Sequence, residues 1–204
     1  MRDSIKPTVS RETFERLEVY ASLLQKWTKK INLISRSTVD DLWSRHIDDS
    51  IQVYDFVLPS SGLWVDLGSG AGLPGVIIAI LAAERAPDLW VRCVESDLRK
   101  AAFLTTAARE LGLQMSVEAA RIETLVPQRA DYISARALAP FDKLCAYAHP
   151  HLSPDGLCLF QKGVQHEKER LKAEKNWQFD LVIRNSRTNP QAVIYKIGAL
   201  RRAT

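Results

Sequence analysis

The chain has 204 residues, 46% of them hydrophobic and 25% charged, which is the composition of an ordinary globular protein with a buried core. Its net charge of +4 permits an anionic partner such as nucleic acid but does not require one. No apolar run approaches the roughly 20 residues that cross a bilayer, and residues 1–12 contain no apolar signal-peptide core, so we expect a cytoplasmic protein with no membrane partner.

Two helical patterns open the chain. Residues 11–30 repeat large apolar side chains every three or four positions, which predicts a helix with one apolar face. Residues 39–57 show a similar stripe and predict a second helix. The start of this second helix is predicted from an N-cap and an acidic first turn, formed by Ser37 or Thr38 and by Asp40 and Asp41.

The stretch Pro59-Ser60-Ser61-Gly62 interrupts the helical region and marks a boundary. We therefore divide the chain into an N-terminal helical appendage over residues 1–60 and a second domain over residues 61–204.

Strand-like and helix-like stretches alternate from Leu63 onward. The predicted strands are 63–67, 89–94, 115–119, 131–135, 156–161, 179–184 and 192–197, and the predicted helices are 75–84, 97–111, 141–149 and 165–175. Such alternation indicates an α/β fold with a seven-stranded, mostly parallel sheet. The last two strands have no helix between them, so we expect them to form an antiparallel pair at one edge.

The stretch LWVDLGSGAGLPG, residues 63–75, is the most informative part of the sequence. A buried strand, a glycine turn and a helix N-terminus allow the backbone to approach a nucleotide cofactor. Starting at Gly70, the residues fit the dinucleotide pattern G-x-G-x-x-G, with Glu95 at a suitable distance. Starting at Asp66, they fit the acid-x-G-x-G-x-G pattern of S-adenosylmethionine enzymes.

The acid in the strand favours S-adenosylmethionine. Asp66 would oppose a pyrophosphate, whereas a nearby anion favours a cofactor that carries an ammonium and a sulfonium. Glu95 follows the second strand and is expected to accept hydrogen bonds from the ribose hydroxyls of either cofactor, each worth roughly 1.5–3 kcal/mol. An antiparallel final pair is also expected of methyltransferases.

The remaining polar candidates are weaker. Cys93, Cys145 and Cys158 are scattered and form no CxxC pair, so we expect buried free thiols and no metal site. His46 lies beside the second apolar stripe, and we expect it to make a hydrogen bond between helices. Asp49 is expected to cap or line the cofactor cleft.

A set of motifs in this order resembles one family: KWTKKINLIS (26–35), RHIDDSI (45–51), VDLGSGAGLPGV (65–76), ARIETL (120–125), ISARAL (133–138) and QKG (161–163). The chain resembles the bacterial ribosomal RNA small-subunit methyltransferase G family, also called glucose-inhibited division protein B. That resemblance implies a Rossmann-like class I S-adenosylmethionine-dependent methyltransferase domain over residues 61–204. It also implies methylation of N7 of one guanine in 16S ribosomal RNA.

The resemblance implies a set of cofactor contacts. With the two acids and Gly70 proposed above, they are Asp66, Gly68, Gly70, Leu73, Glu95, Ile122, Glu123 and Arg136. A carboxylate after the third strand suits the adenine amine, and its apolar neighbour suits the ring. Glu95 departs from many relatives, which carry Asp there, but it preserves the charge.

The expected chemistry needs positioning more than proton transfer. Guanine N7 carries a lone pair and no proton, so no general base is required. Catalytic roles are expected for Arg136 and Lys162, either of which could hold guanine O6. Substrate contacts are expected from Arg99, Lys100 and Lys162, at the carboxyl edge of the sheet.

Other functions stay open on the sequence alone. They are a methyltransferase acting on another RNA or a small molecule, a nicotinamide dehydrogenase, and an RNA-binding module without a cofactor. If the chain is the guanine-N7 methyltransferase that the resemblance implies, we expect a monomer that acts on small-subunit ribosomal RNA or the 30S particle.

Overall fold

The computed structural model describes residues 2–5 and 8–203. Met1, residues 6–7 and Thr204, which belong to the predicted appendage and the predicted second domain, lie outside the described residues. Seven strands form one sheet in the order β3-β2-β1-β4-β5-β7-β6. The strands are β1 Ser61–Leu67, β2 Asp88–Val94, β3 Met115–Glu118, β4 Ala130–Arg136, β5 Leu152–Lys162, β6 Trp177–Asn185 and β7 Val193–Arg202.

The sheet confirms the predicted α/β fold. Strands β1 to β5 pair in parallel, while β7 pairs antiparallel with both β5 and β6. The predicted antiparallel pair of final strands is therefore confirmed, with β6 at the edge. The four helices that follow strands in the second part of the chain are α4 Gly75–Arg85, α5 Leu98–Glu110, α6 Phe141–Ala148 and α7 His166–Ala173.

The first predicted helix is observed as α2, Arg11–Ile31, which follows a short α1, Arg2–Ile5. Ser10 caps α2, since its hydroxyl accepts from the Thr13 N–H. The apolar face of α2 reaches the second part of the chain, where Trp27 packs edge-on against Phe103 of α5 at 5.6 Å between ring centroids. Because one apolar layer includes residues from both parts, they share a core. The boundary at residue 60 stays a prediction.

The second predicted helix, over 39–57, is observed over a shorter range, and its first half is π-helical. The chain makes a 3-10 turn at Arg36–Thr38, a π-helical segment at Trp43–Asp48 and, directly after it, a short helix α3 at Asp49–Tyr54. The apolar stripe is buried, since Leu42, Ile47, Ile51 and Tyr54 are each at most 3% exposed. π-helical turns often occur at functional sites.

Burial agrees with the prediction for the cysteines, since Cys93, Cys145 and Cys158 are buried free thiols. In the described part of the chain, no helix is both long enough and apolar enough to span a membrane. Nor do three or more His, Cys, Asp or Glu side chains of residues 2–5 and 8–203 come together as a metal-binding group.

Candidate functional site

The glycine loop lies between β1 and α4, at the carboxyl edge of the parallel strands. Gly68, Gly70 and Gly72 have φ angles of 65°, 55° and 82°, which disfavour any residue with a side chain. A Cβ at Gly68 would lie 2.5 Å from the Leu138 side chain. The loop is also held from the appendage, because the buried Tyr20 hydroxyl donates to the Ala71 carbonyl at 2.6 Å.

Asp66 lies beneath this loop, with 1% of its surface exposed. Its Oδ1 accepts from the Ser134 hydroxyl of β4 at 2.6 Å, and its Oδ2 accepts from the Gly75 N–H at the start of α4 at 3.2 Å. Ser134 in turn accepts from the Trp64 indole N–H at 2.8 Å. The carboxylate therefore joins β1, β4 and α4 under the glycine loop, and burial raises its pKa to about 6.

This raised pKa predicts how stability depends on pH. The folded protein keeps the Asp66 proton up to a pH of about 6, whereas the unfolded chain loses it near pH 3.9. Asp66 therefore lowers the free energy of unfolding as the pH rises from about 4 to about 6, by about 3 kcal/mol. We expect Asp66→Asn to lack this decline. Denaturant unfolding of both proteins across that range measures the difference, and parallel curves would contradict the prediction.

Glu95 lies just after β2 and is 8% exposed. Its Oε2 accepts from the Gly70 N–H at 2.8 Å, and its Oε1 accepts from the Asp97 N–H at 2.8 Å. The carboxylate is thus fixed between the glycine loop and the N-cap of α5. It forms part of the wall of a cavity of about 310 Å³, which we call the first cavity.

The first cavity brings together most of the predicted cofactor residues. It is lined by Gly68, Gly70, Val94, Glu95, Ser96, Lys100, Ala120, Arg121, Ile122, Glu123, Ala137, Leu138 and Tyr147. Ile122 and Glu123 stand on a 3-10 turn after β3, and Glu123 accepts from the Tyr147 hydroxyl at 2.9 Å. The pKa of Glu123 is lowered, first by a hydrogen bond to its own backbone and then by Tyr147.

Some predicted residues lie elsewhere. Leu73 is 8% exposed and packs in the apolar core beside α4, so its cofactor contact stays a prediction. Lys100, predicted to bind substrate, lines the first cavity. Arg99 is exposed in the first turn of α5 and pairs with Asp97 at 3.0 Å.

A second cavity of about 500 Å³ adjoins the first, since both are lined by Ala137 and Leu138. Arg136, Gln161 and Lys162, at the ends of β4 and β5, contribute to its walls, and Asp49 closes it from the appendage. The two cavities lie side by side at the carboxyl edge of the sheet, where open α/β sheets bind ligands.

Arg136 is held by residues of the appendage. Its Nη2 donates to the Arg45 carbonyl at 3.0 Å and contacts His46 Nδ1 at 2.8 Å, and its Nη1 lies 3.6 Å from Asp49 Oδ2. Burial lowers the pKa of Arg136, while the Asp49 charge opposes that change. The guanidinium remains charged, as arginine does in proteins.

The hydrogen bonds around His46 assign its tautomer. The Thr38 hydroxyl donates to the Ser35 carbonyl at 2.9 Å, so it accepts from His46 Nε2–H at 2.9 Å. Nδ1 then carries a lone pair and accepts from Arg136. Burial, followed by the nearby Arg136 charge, lowers the pKa of His46 to about 4, which keeps the ring neutral. His46 therefore joins two helical segments, since it lies on the π-helical segment and binds Thr38 of the 3-10 turn, and it also contacts Arg136 of the sheet.

Lys162 is 8% exposed and bound on two sides. Its Nζ donates to the Ala139 carbonyl at 3.1 Å and pairs with Glu169 of α7 at 2.5 Å. Glu169 also accepts from the Phe141 N–H at 2.8 Å. Lys162 therefore fixes the segment between β4 and α6, which separates the two cavities.

The sequence missed several residues of this region. Gln161 and Ser134 lie inside predicted strands, where alternation shows burial but not which side chains meet on neighbouring strands. Asp49 was expected near the cleft and does line the second cavity. Ser186 and Thr188, from the loop between β6 and β7, donate to Asp49 at 3.1 and 2.9 Å, and no local signal in that loop predicts this contact.

Comparisons with known proteins agree with this architecture. Residues 13–193 match the family model described as rRNA small subunit methyltransferase G. A ribosomal RNA small subunit methyltransferase G from Cereibacter sphaeroides is 53% identical over 94% of this chain and 93% of its own length. The protein of the same name from Ruegeria sp. is 50% identical and covers 98% of each chain.

Solved structures show the same fold at low sequence identity. A SAM dependent methyltransferase from Aquifex aeolicus superposes with a TM-score of 0.62 at 12% identity, covering 87% of this chain and 97% of its own. M. jannaschii TYW2, solved in complex with AdoMet, gives a TM-score of 0.59 at 18% identity, with 79% and 78% covered.

Proposed function

The chain belongs to the rRNA small subunit methyltransferase G family, and on that premise we propose which of its two cavities binds the cofactor and which binds the substrate base. It is an S-adenosylmethionine-dependent methyltransferase that modifies N7 of a guanine in 16S ribosomal RNA. The first cavity holds the cofactor, and the second holds the guanine. The observation that carries this proposal is that the two cavities adjoin at Ala137 and Leu138.

The residues of the first cavity fit S-adenosylmethionine. Glu95 presents a fixed carboxylate suited to the ribose hydroxyls, and Ile122 offers apolar surface beside the Glu123 carboxylate for the adenine. Gly68 and Gly70 let the backbone approach closely. Asp66, being buried, contributes through the shape of the loop and through its charge. Leu73 supports the same loop from the core.

The second cavity positions the base. Bound S-adenosylmethionine supplies a methyl group on a sulfonium, which is already activated for displacement. Arg136 is placed to donate to guanine O6 and so directs N7 toward the first cavity, and Lys162 fixes the segment between the cavities. Holding two reactants in line can lower a barrier by about 7–11 kcal/mol. No residue needs to remove a proton, because N7 carries none.

The substrate is small-subunit ribosomal RNA or the 30S particle, and we propose that a monomer acts on it in the cytoplasm. Lys100 and Arg99, at the start of α5, are placed to contact RNA phosphates near the cofactor cavity. Because RNA is anionic, and Arg99 is exposed and Lys100 half-buried, binding is expected to weaken as salt increases.

The proposal is tested by methyl transfer from labelled S-adenosylmethionine to small-subunit ribosomal RNA and to 30S subunits, followed by mapping of the modified base. We expect one 7-methylguanosine. Cofactor binding without RNA methylation would reject the proposed RNA substrate, while the assignment of the cofactor would still hold. Methylation of another RNA or of a small molecule, insensitive to competing ribosomal RNA, would favour the alternative methyltransferase.

A further inference from the structure

Two buried polar atoms without a hydrogen-bond partner belong to side chains that line the second cavity. They are Nη1 of Arg136 and Oε1 of Gln161, and five such side-chain atoms occur in the described residues. A buried polar atom without a partner destabilises the folded protein, and a ligand that supplies the missing hydrogen bond removes that loss. One of these atoms is a donor and the other is an acceptor.

The two side chains are neighbours in the sheet. Arg136 of β4 and Gln161 of β5 are paired across the parallel ladder. Paired residues on adjacent strands lie about 4.8 Å apart and project to the same face of the sheet. The second cavity therefore presents a donor and an acceptor side by side.

Asp49 fixes which end of the Gln161 amide is free. Nε2 of Gln161 donates to the Asp49 carbonyl at 2.9 Å and to Asp49 Oδ2 at 2.5 Å, so both of its hydrogens are used. A flipped amide would place its oxygen against those two acceptors. Gln161 can therefore offer the cavity only an acceptor.

Asp49 is itself firmly held. Its Oδ1 accepts from Gln52 Nε2 at 2.7 Å and from the Ser186 and Thr188 hydroxyls at 3.1 and 2.9 Å. The appendage and the loop between β6 and β7 thus meet at one carboxylate. That carboxylate orients Gln161 directly and lies 3.6 Å from Arg136 Nη1.

We propose that Gln161 determines the base specificity of the reaction, by accepting a hydrogen bond from N1–H of the guanine whose O6 accepts from Arg136. This inference rests on the proposed function. Guanine presents an acceptor at O6 next to a donor at N1, which matches the order of the two protein groups. N7 lies on the other side of O6 and stays free for the methyl group.

The same pair rejects the wrong bases. Adenine and cytosine present an amino donor next to an unprotonated ring nitrogen, so donor would face donor and acceptor would face acceptor. Uracil offers the matching pattern but has no N7 to methylate. As the purine gains positive charge, its N1–H becomes a better donor, so the bond to Gln161 strengthens toward the transition state.

The test compares guanine with 2-aminopurine, which keeps N7 but lacks O6 and the N1 proton. Small-subunit ribosomal RNA is assembled with either base at the mapped target position, and kcat/KM is measured for the wild-type enzyme and for Gln161→Leu. We expect Gln161→Leu to lower guanine methylation about ten- to a hundredfold, with 2-aminopurine methylation almost unchanged. Since both enzymes meet the same bases, intrinsic differences in N7 reactivity cancel.

Gln165→Leu is the matched control, because Gln165 is exposed beyond the end of β5. It should leave both rates unchanged. Gln161→Met provides a second apolar side chain of similar length in case the Leu variant unfolds. An equal loss on both bases would assign Gln161 a structural role and overturn the inference. Absence of guanine methylation would reject the proposed function itself.

Discussion

Replacing Arg136 by Ala is expected to lower kcat for guanine methylation about a hundredfold, while the dissociation constant of S-adenosylmethionine stays unchanged. Arg136 lines the second cavity, and its fork is fixed by His46, the Arg45 carbonyl and Asp49. Losing this donor lets the base shift within a cavity of about 500 Å³. Single-turnover kinetics together with calorimetric titration of the cofactor measure the two effects separately.

The negative charge of Asp49 makes the Arg136–Asp49 pair better suited than a lone arginine to a reaction that places positive charge on the base. Positive charge accumulates on the purine as N7 is methylated, and an isolated guanidinium beside it would oppose the reaction. Asp49, 3.6 Å from Arg136 Nη1, offsets that repulsion while the hydrogen bond to O6 remains. For the same reason Arg136→Lys should not restore kcat, since lysine keeps the charge but loses the planar fork.

Arg184→Ala is the control for Arg136→Ala. Arg184 is exposed on β6 and lies over the Phe56 ring, 3.9 Å from its centroid. Arg184→Ala changes the net charge by the same amount as Arg136→Ala but alters neither cavity, so its kcat should equal that of the wild type. A rise in the cofactor dissociation constant with Arg136→Ala, or a kcat close to that of the wild type, would assign Arg136 a different role.

Much of the architecture could be predicted because it depends on local patterns. Largely apolar strands, such as 63–67 and 89–94, are separated by helices with apolar faces. The glycine turn follows from the need for positive φ after β1. The start of strand β5 could not be predicted in this way, since the strand begins at Leu152 and not near residue 156. Pro154 and Gly156 mimic a turn in a strand whose first residues are only partly paired.

The polar contacts of the site could be predicted only in part. Glu95 was identified because it follows a strand that must end beside the glycine loop. The roles of His46 and Gln161 depend on partners 90 and 112 residues away, Arg136 and Asp49. Neither spacing nor composition carries that information. Asp66 was expected as a carboxylate near the cofactor, but the sequence did not show that Ser134 and Gly75 would occupy its oxygens.

Substitution of Glu95 by Ala is expected to weaken S-adenosylmethionine binding about ten- to a hundredfold, the value of a charge-assisted hydrogen bond. Asp66→Ala should also weaken binding, because it releases the loop from β4 and α4. Lys162→Ala should mainly lower turnover, because its side chain contacts Ala139 and Glu169 and not the first-cavity wall among the described residues. Calorimetry and kinetics on the three variants test this division, and equal cofactor affinity in all three would contradict it.

The conservative variants of Glu95 sharpen the same prediction. Both carboxylate oxygens already accept from backbone N–H groups, those of Gly70 and Asp97. Glu95→Gln must place an amide nitrogen against one of these donors, so it should bind the cofactor nearly as weakly as Glu95→Ala although its shape is preserved. Glu95→Asp keeps two acceptors and the charge, and should retain much of the affinity. If Gln bound as tightly as Glu, the charge and the doubly accepting geometry would not be what holds the ribose.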